Sequence, residues 1–132
     1  VTDARAVVAK LDDAMNAKDL AAARGLYAAG ARLVTAGGRH VDLDGLDRIL
    51  AATFAAFPDL AITTTRVIAE GDIVVTEEVM EGTHVGHFAG LAPTGKRVKL
   101  PLAHVTRVQD GRIIERVAYH DTATLLRQLT ES

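Results

Sequence analysis

The sequence predicts an α+β fold, in which three amphipathic helices, with a short strand pair before the third, precede four long antiparallel strands and a short closing helix. Three observations carry this. Up to Phe57 the apolar residues recur at helical spacing. From Leu60 onward the pattern changes to runs rich in Ile, Thr and Val, separated by Gly-containing turns. The last two runs flank Asp110-Gly111, and an Asp-Gly pair between β-rich arms is a strong hairpin signal because both residues of a type I′ turn need positive φ. A curved sheet wrapped on one face by helices makes a cone with an apolar interior, where a small-molecule pocket commonly sits.

Each element has its own grounds. Residues 2–17 carry the stripe Ala4, Val7, Val8, Leu11, Ala14 and Met15; Thr2 can cap this helix, and Asp3 suits the positive end of its dipole. Asp19 caps a second, Ala-rich helix through about Tyr27, and Gly30 ends that unit. Residues 31–35 and 39–41 form short strands around Gly37-Gly38. Asp42 or Asp44 opens the third helix, whose stripe is Leu46, Ile49, Leu50, Thr53, Phe54 and Phe57, and Pro58 stops it. Strands follow at 61–69 and 73–85, a loop at 86–95, the hairpin from Lys96 to Asp121, and a helix with Leu125, Leu126 and Leu129 on one face.

Composition narrows the function. A chain of 132 residues is expected to be one domain, 1–132, burying roughly two-thirds of its unfolded surface. A formal charge of −2 gives no basic field, so nucleic acid is not an expected partner. The absence of cysteine excludes disulfides, thiolate metal sites and a Cys nucleophile. Ser132 is the only serine and is terminal, which excludes a Ser-His-Asp triad. No apolar run approaches the ~20 residues of a membrane span, so no membrane partner is expected and a cytoplasmic location is the default. The chain starts at Val1, which leaves open a removed leading segment. The five histidines show no metal-ligand spacing on a helix, so no metal is expected.

The hairpin is the chemically richest stretch. A two-residue loop at Asp110-Gly111 pairs Val108 with Ile113, His104 with Val117 and Leu100 with Asp121. Val98, Leu100, Leu102, His104, Thr106 and Val108 then share the apolar face with Ile113, Glu115, Val117, Tyr119 and Asp121. His120 points to the opposite face. The outer face, with Ala103, Val105, Ala118 and His120 between charges, suits self-association, so a homo-oligomer (dimer or tetramer) is expected.

Three stretches resemble the SnoaL-like polyketide cyclases of the NTF2-like superfamily. They are Thr53 to Leu60 with its Phe57-Pro58-Asp59 turn; Gly82-Thr83-His84 followed by Pro93-Thr94-Gly95; and Asp110 to Glu115 continuing through Tyr119-His120-Asp121-Thr122 to Leu129. The resemblance implies an NTF2-like cone and an intramolecular aldol ring closure on an aromatic polyketide ester, with no metal and no organic cofactor. It implies that Asp121, at the end of the last strand, is the catalytic acid/base. Val117 stands where the family very often has Trp, and His87 where many members have an acidic residue.

The candidate residues keep alternatives. Asp121 fits an N-cap for the last helix, or a pocket carboxyl whose raised pKa lets it move a proton. His104 is either a satisfied core histidine or a donor to a developing enolate oxygen. The expected register separates it from Asp121 by roughly 13 Å, too far for a direct bond. His84 either lines the pocket mouth or holds the 86–95 loop. Phe54 and Met15 are core first and pocket-lining second, and Tyr119 joins them as a substrate-binding candidate on the apolar face. Glu77 and Glu78 read as surface charges. The expected partner is a hydrophobic small-molecule substrate. The alternatives are a non-catalytic ligand-binding module, or a hydroxylase or isomerase on the same fold.

Overall fold

The computed structural model describes residues 3–131. Its elements are α1 (Ala4–Ala17), α2 (Leu20–Arg24), β1 (Tyr27–Val34), β2 (His40–Val41), α3 (Leu43–Ala56), β3 (Ala61–Glu70), β4 (Ile73–Thr83), β5 (Arg97–Gln109), β6 (Arg112–Tyr119) and α4 (Thr122–Thr130). Asp3 caps α1 by accepting from the Arg5 N–H, and the cap expected at Thr2 lies outside the described residues. Asp19, Asp42 and Asp121 cap the other three helices in the same way.

The first half departs from expectation at one place. The second helix stops at Arg24, and Tyr27 opens a strand instead of ending a helix. Tertiary pairing overrides local propensity there: Tyr27 is buried opposite Ile113, whose N–H donates to the Leu26 carbonyl. Gly30 lies inside β1, within the stretch where the register shifts.

The six strands form one sheet in the order β2-β1-β6-β5-β4-β3. The four long strands β3 to β6 pair antiparallel as expected, as does β1 with β2, and β1 joins β6 in parallel. Asp110 and Gly111 both have positive φ, as the hairpin turn requires.

Two bulges decide which side chains enter the interior. In β6, Ile113 opposes Val108 and Glu115 opposes Arg107, leaving Ile114 as the extra residue. Were Ile114 paired in a regular strand, Ile113 and Glu115 would share a face, and a carboxylate would enter the core at a cost of several kcal/mol. With the bulge Ile113 is fully buried and Glu115 turns outward to bond Arg32 at 2.8 Å. The expected faces of the return arm are therefore exchanged. Arg116, Ala118 and His120 point inward, while Val117 and Tyr119 point outward. Thr65 has the same role in β3: Thr64 faces Asp12 inside, and Arg66 pairs with Glu77 outside.

The interior packs as two clusters. One joins Val7, Val8 and Leu11 of α1 to Tyr27, Leu33, Val74 and Ile113. The other joins Phe57, Leu60, Val98 and Leu100 to Leu125 and Leu129 of α4. Each fully buried Leu or Val contributes about 1.5–3 kcal/mol. The α3 stripe does not close the space between them, since Leu46, Ile49, Leu50 and Thr53 are only half-buried and face a cavity.

Candidate active site between the two core clusters

The cavity has a volume of about 300 Å³ and a mainly apolar wall, to which Leu11, Met15, Ile49, Leu60, Met80 and Leu102 contribute. Its polar groups converge from four elements: Asp12 on α1, Glu78 on β4, His104 on β5 and Arg116 on β6. Alternation places them. His104 follows Leu100 and Leu102 on the inner face of β5, and Glu78 lies between inward Thr76 and Met80 on β4.

Glu78 is the centre of the polar group. Only 2% of it is exposed, which corrects its expected place on the surface. Its Oε1 accepts from the Thr76 hydroxyl at 2.7 Å, lies 3.3 Å from His104 Nδ1 and faces an Arg116 guanidinium nitrogen at 3.9 Å. Burial pushes this carboxyl up, but His104, Arg116 and Thr76 together outweigh burial and hold it below the ordinary value. Arg116 also donates to the Thr106 hydroxyl at 2.8 Å.

His104 is pushed below the ordinary histidine range, first by burial and then by the Arg116 charge, against the opposing pull of Glu78. Its ring is neutral at pH 7. With Glu78 ionised, the Nδ1 contact is a donated N–H, so Nε2 carries a lone pair. Asp12 is raised by burial and by the like charge of Glu78, against a 2.9 Å hydrogen bond from Thr64. Tyr27 is pushed up mainly by burial, so its phenol stays a donor.

The other expected site residues fall elsewhere, except Met15, which does line the cavity. Asp121 is exposed outside it. Its carboxylate accepts from the Ala123 N–H at 3.0 Å and the Thr124 hydroxyl at 2.7 Å, and these bonds, the Thr124 hydroxyl first, lower its pKa. Of the two roles open to it, the structure shows the helix cap, and the Ile114 bulge turns it out of the wall where a raised pocket carboxyl would stand. Tyr119 is 56% exposed on the outer face for the same reason. Phe54 packs against the Phe57 cluster and not along the cavity.

His84 holds the loop. Its Nδ1 accepts from the Thr94 N–H at 3.2 Å and lies 2.9 Å from the Thr94 hydroxyl, while its ring packs on Phe57 with centroids 5.5 Å apart. Around it, Thr83 bonds Asp59, and the Val85 and Gly86 N–H groups cap α3 at the Ala56 carbonyl. The Gly-Thr-His segment is thus a structural clamp. Glu78, Arg116, Asp12, Tyr27 and His120 are site residues that sequence reasoning missed. The register that pairs Thr76 with His104 across β4 and β5 puts the Glu78 side chain on the inner face, and no local feature of the sequence marks that register. No group of three or more His, Cys, Asp or Glu side chains with metal-binding geometry occurs among the described residues.

The comparisons with known proteins agree with this architecture. The model of the SnoaL-like polyketide cyclases matches residues 5–129. Nogalonic acid methyl ester cyclase of Streptomyces nogalater is 32% identical over 78 residues, which are 59% of this chain and 57% of that relative, little more than half its length. The crystal structure of IdmH from Streptomyces antibioticus, a proposed polyketide cyclase, superposes with a TM-score of 0.86 at 33% identity, covering 97% of this chain and 99% of that one. AclR from Streptomyces galilaeus, a proposed hydroxylase, gives a TM-score of 0.89 at 26% identity, covering 98% and 82%. With the cone, the interior cavity and a family match over nearly its whole length, the chain belongs to the SnoaL-like polyketide cyclases.

Proposed function

We propose that this protein closes a ring in a polycyclic polyketide ester by an intramolecular aldol reaction, with His104 as the base. The observation that carries the reading is the Glu78–His104 pair, at 3.3 Å, set in an apolar cavity of a family cone. A neutral imidazole held in one tautomer by a carboxylate is a general base. Its Nε2 takes a proton from a carbon flanked by two carbonyls, and the electron pair passes to an enolate oxygen. The guanidinium of Arg116 stabilises that charge in a medium that strengthens it. The enolate carbon then bonds to a ketone carbon within the same molecule. The carbonyl electrons move to oxygen, and the imidazolium returns its proton to the alkoxide. Glu78 stabilises the imidazolium between the two transfers. Atoms and charge balance without a co-reactant. The earlier expectation that His104 acts as an oxygen donor applies only to its protonated stage.

A β-dicarbonyl polyketide ester panel, beginning with nogalonic acid methyl ester, tests this. The expected product has the substrate's mass, with one hydrogen of the activated carbon replaced by the new carbon–carbon bond and the ketone acceptor turned into a carbinol. His104→Asn should abolish its formation. A product heavier by one oxygen atom would replace the reading with hydroxylation, and binding without conversion would make the protein a ligand-binding module.

Self-association is part of the proposal. The outer sheet face presents Val75, Val79, Ala103, Val105 and Val117 at partial exposure, with Ile68 and Tyr119 exposed. Such a face between charged rows suits a second copy of the chain. Sedimentation should show a dimer or tetramer, and Val105→Glu should dissociate it. A monomeric wild type would overturn this part. No described helix is long and apolar enough to cross a membrane.

A further inference from the structure

The Ile114 bulge brings a second histidine to the cavity. His120 lies one residue beyond the end of β6 and lines the same wall as His104. Tyr119 pairs with Ala103, so His120 lies level with inward Leu102 and diagonal to His104. Diagonal neighbours on adjacent strands have Cα atoms about 7–8 Å apart. That spacing suits two imidazoles addressing different atoms of one substrate.

The two rings present opposite hydrogen-bonding character. His104 commits its Nδ1–H to Glu78, which leaves Nε2 as an acceptor. The Nδ1 of His120 is sealed from solvent and has no hydrogen-bond partner among the described residues. An orphaned buried N–H is tolerated less often than an under-satisfied acceptor. His120 Nδ1 is therefore the bare nitrogen, and its proton resides on Nε2. Burial also disfavours the imidazolium, against the pull of Asp121, so the ring is a neutral donor at pH 7.

We infer that His120 is a second catalytic residue, whose Nε2–H donates to the ketone oxygen that becomes the alkoxide while His104 works at the acidic carbon. The inference rests on the cyclase reading above. As the new carbon–carbon bond forms, the carbonyl electron pair moves onto oxygen, where the His120 hydrogen bond strengthens. The proton that neutralises the alkoxide still comes from the His104 imidazolium, so His120 ends each cycle unchanged. This assigns the substrate a ketone acceptor within reach of the β-dicarbonyl carbon, with its oxygen directed at the β6 end of the cavity.

Two measurements test it. In ¹⁵N NMR of the uniformly labelled protein at pH 7, His120 should show the Nε2–H tautomer and His104 the Nδ1–H tautomer. A His120 ring in the Nδ1–H or doubly protonated form would overturn the inference, whatever the substrate. On the ester panel, His120→Leu should lower kcat about 10²-fold with little change in KM, as expected for loss of one donor to a developing oxyanion. His120→Gln, which keeps an N–H near the Nε2 position, should recover at least 10-fold of that loss. If His104→Asn abolishes turnover while His120→Leu leaves kcat unchanged, the His120 role fails and the cyclase reading stands. If neither substitution affects turnover, the cyclase reading fails and takes the His120 role with it.

Discussion

Glu78 and His104 meet diagonally across neighbouring strands: Glu78 pairs in register with Leu102 and His104 with Thr76, yet Oε1 and Nδ1 lie 3.3 Å apart. The carboxylate fixes which ring nitrogen is bare. Glu78→Gln should lower kcat about 10²-fold and His104→Asn about 10²–10⁴-fold. His104 has a folded pKa below 6.5, so the acidic limb of kcat/KM should lie below pH 6.5. Glu78 raises that pKa, and Glu78→Gln should move the limb lower still. The same shift makes the unfolded chain bind more protons than the folded one below about pH 6.5, so stability should decline as pH falls through that value. Urea unfolding from pH 8 to 5 should show the decline in the wild type and a smaller one in His104→Asn.

Asp12 works against stability. Its folded pKa lies above 3.8 because of burial and then the Glu78 charge. The folded chain therefore binds more protons than the unfolded chain in that window, and stability falls as pH rises through it. Asp12→Asn keeps an acceptor for Thr64 and removes the repulsion. Solvent reaches part of the side chain, so the gain is small. Melting curves should show Tm raised by about 2 °C at pH 7, with the difference gone by pH 3. A simultaneous fall in turnover would mark a carboxylate kept for chemistry.

Asp121 should behave as a cap. Asp121→Asn should leave kcat unchanged, whereas Asp121→Ala should lower Tm by removing both bonds to the first turn of α4. Its folded pKa is below 3.8, so the stabilising effect is complete above that pH and is lost as pH falls through the folded value. The Tm difference between wild type and Asp121→Ala should therefore close in acid. A large loss of kcat in Asp121→Asn would return this residue to the active site.

The sequence made the elements, the type I′ turn and the inner face of β5 legible, because each rests on local periodicity or turn chemistry. The inner face of β6 was not legible. Parity from Asp110-Gly111 holds to Ile113 and fails at Ile114, where the conflict between a buried Ile and a charged Glu115 is settled by a bulge. Glu115 on an apolar face was the one visible sign. The same inversion removed Asp121 and Tyr119 from the site and brought in Arg116 and His120. Glu78 was missed because a carboxylate on a strand reads as surface until its partners on two other strands are known.

Gly86 offers a test of the clamp behind the cavity. A Cβ added there would stand 2.7 Å from the Ala55 carbonyl oxygen and 3.1 Å from the Ala56 Cα, both backbone atoms. Gly86→Ala must push the loop from the end of α3. Urea unfolding should show a loss of about 1–3 kcal/mol. The loop around Thr94 should also lose protection from hydrogen exchange, since its bonds to His84 depend on that seat.

The extra residue at Ile114 also governs how this scaffold can acquire new chemistry. Point substitutions on β6 alter the cavity one side chain at a time. Removing Ile114 itself would leave the facings as they are, because Glu115 already opposes Arg107 and Arg116 already opposes Thr106. Losing the bulge with Ile114 retained and paired to Arg107 would instead rotate the rest of the strand by half a turn. The wall would then exchange a guanidinium and an imidazole at positions 116 and 120 for a carboxylate and a phenol from positions 115 and 119. A slip of one residue would thus recast the cavity's charge and proton inventory at once, while the β5 wall with His104 stayed in place.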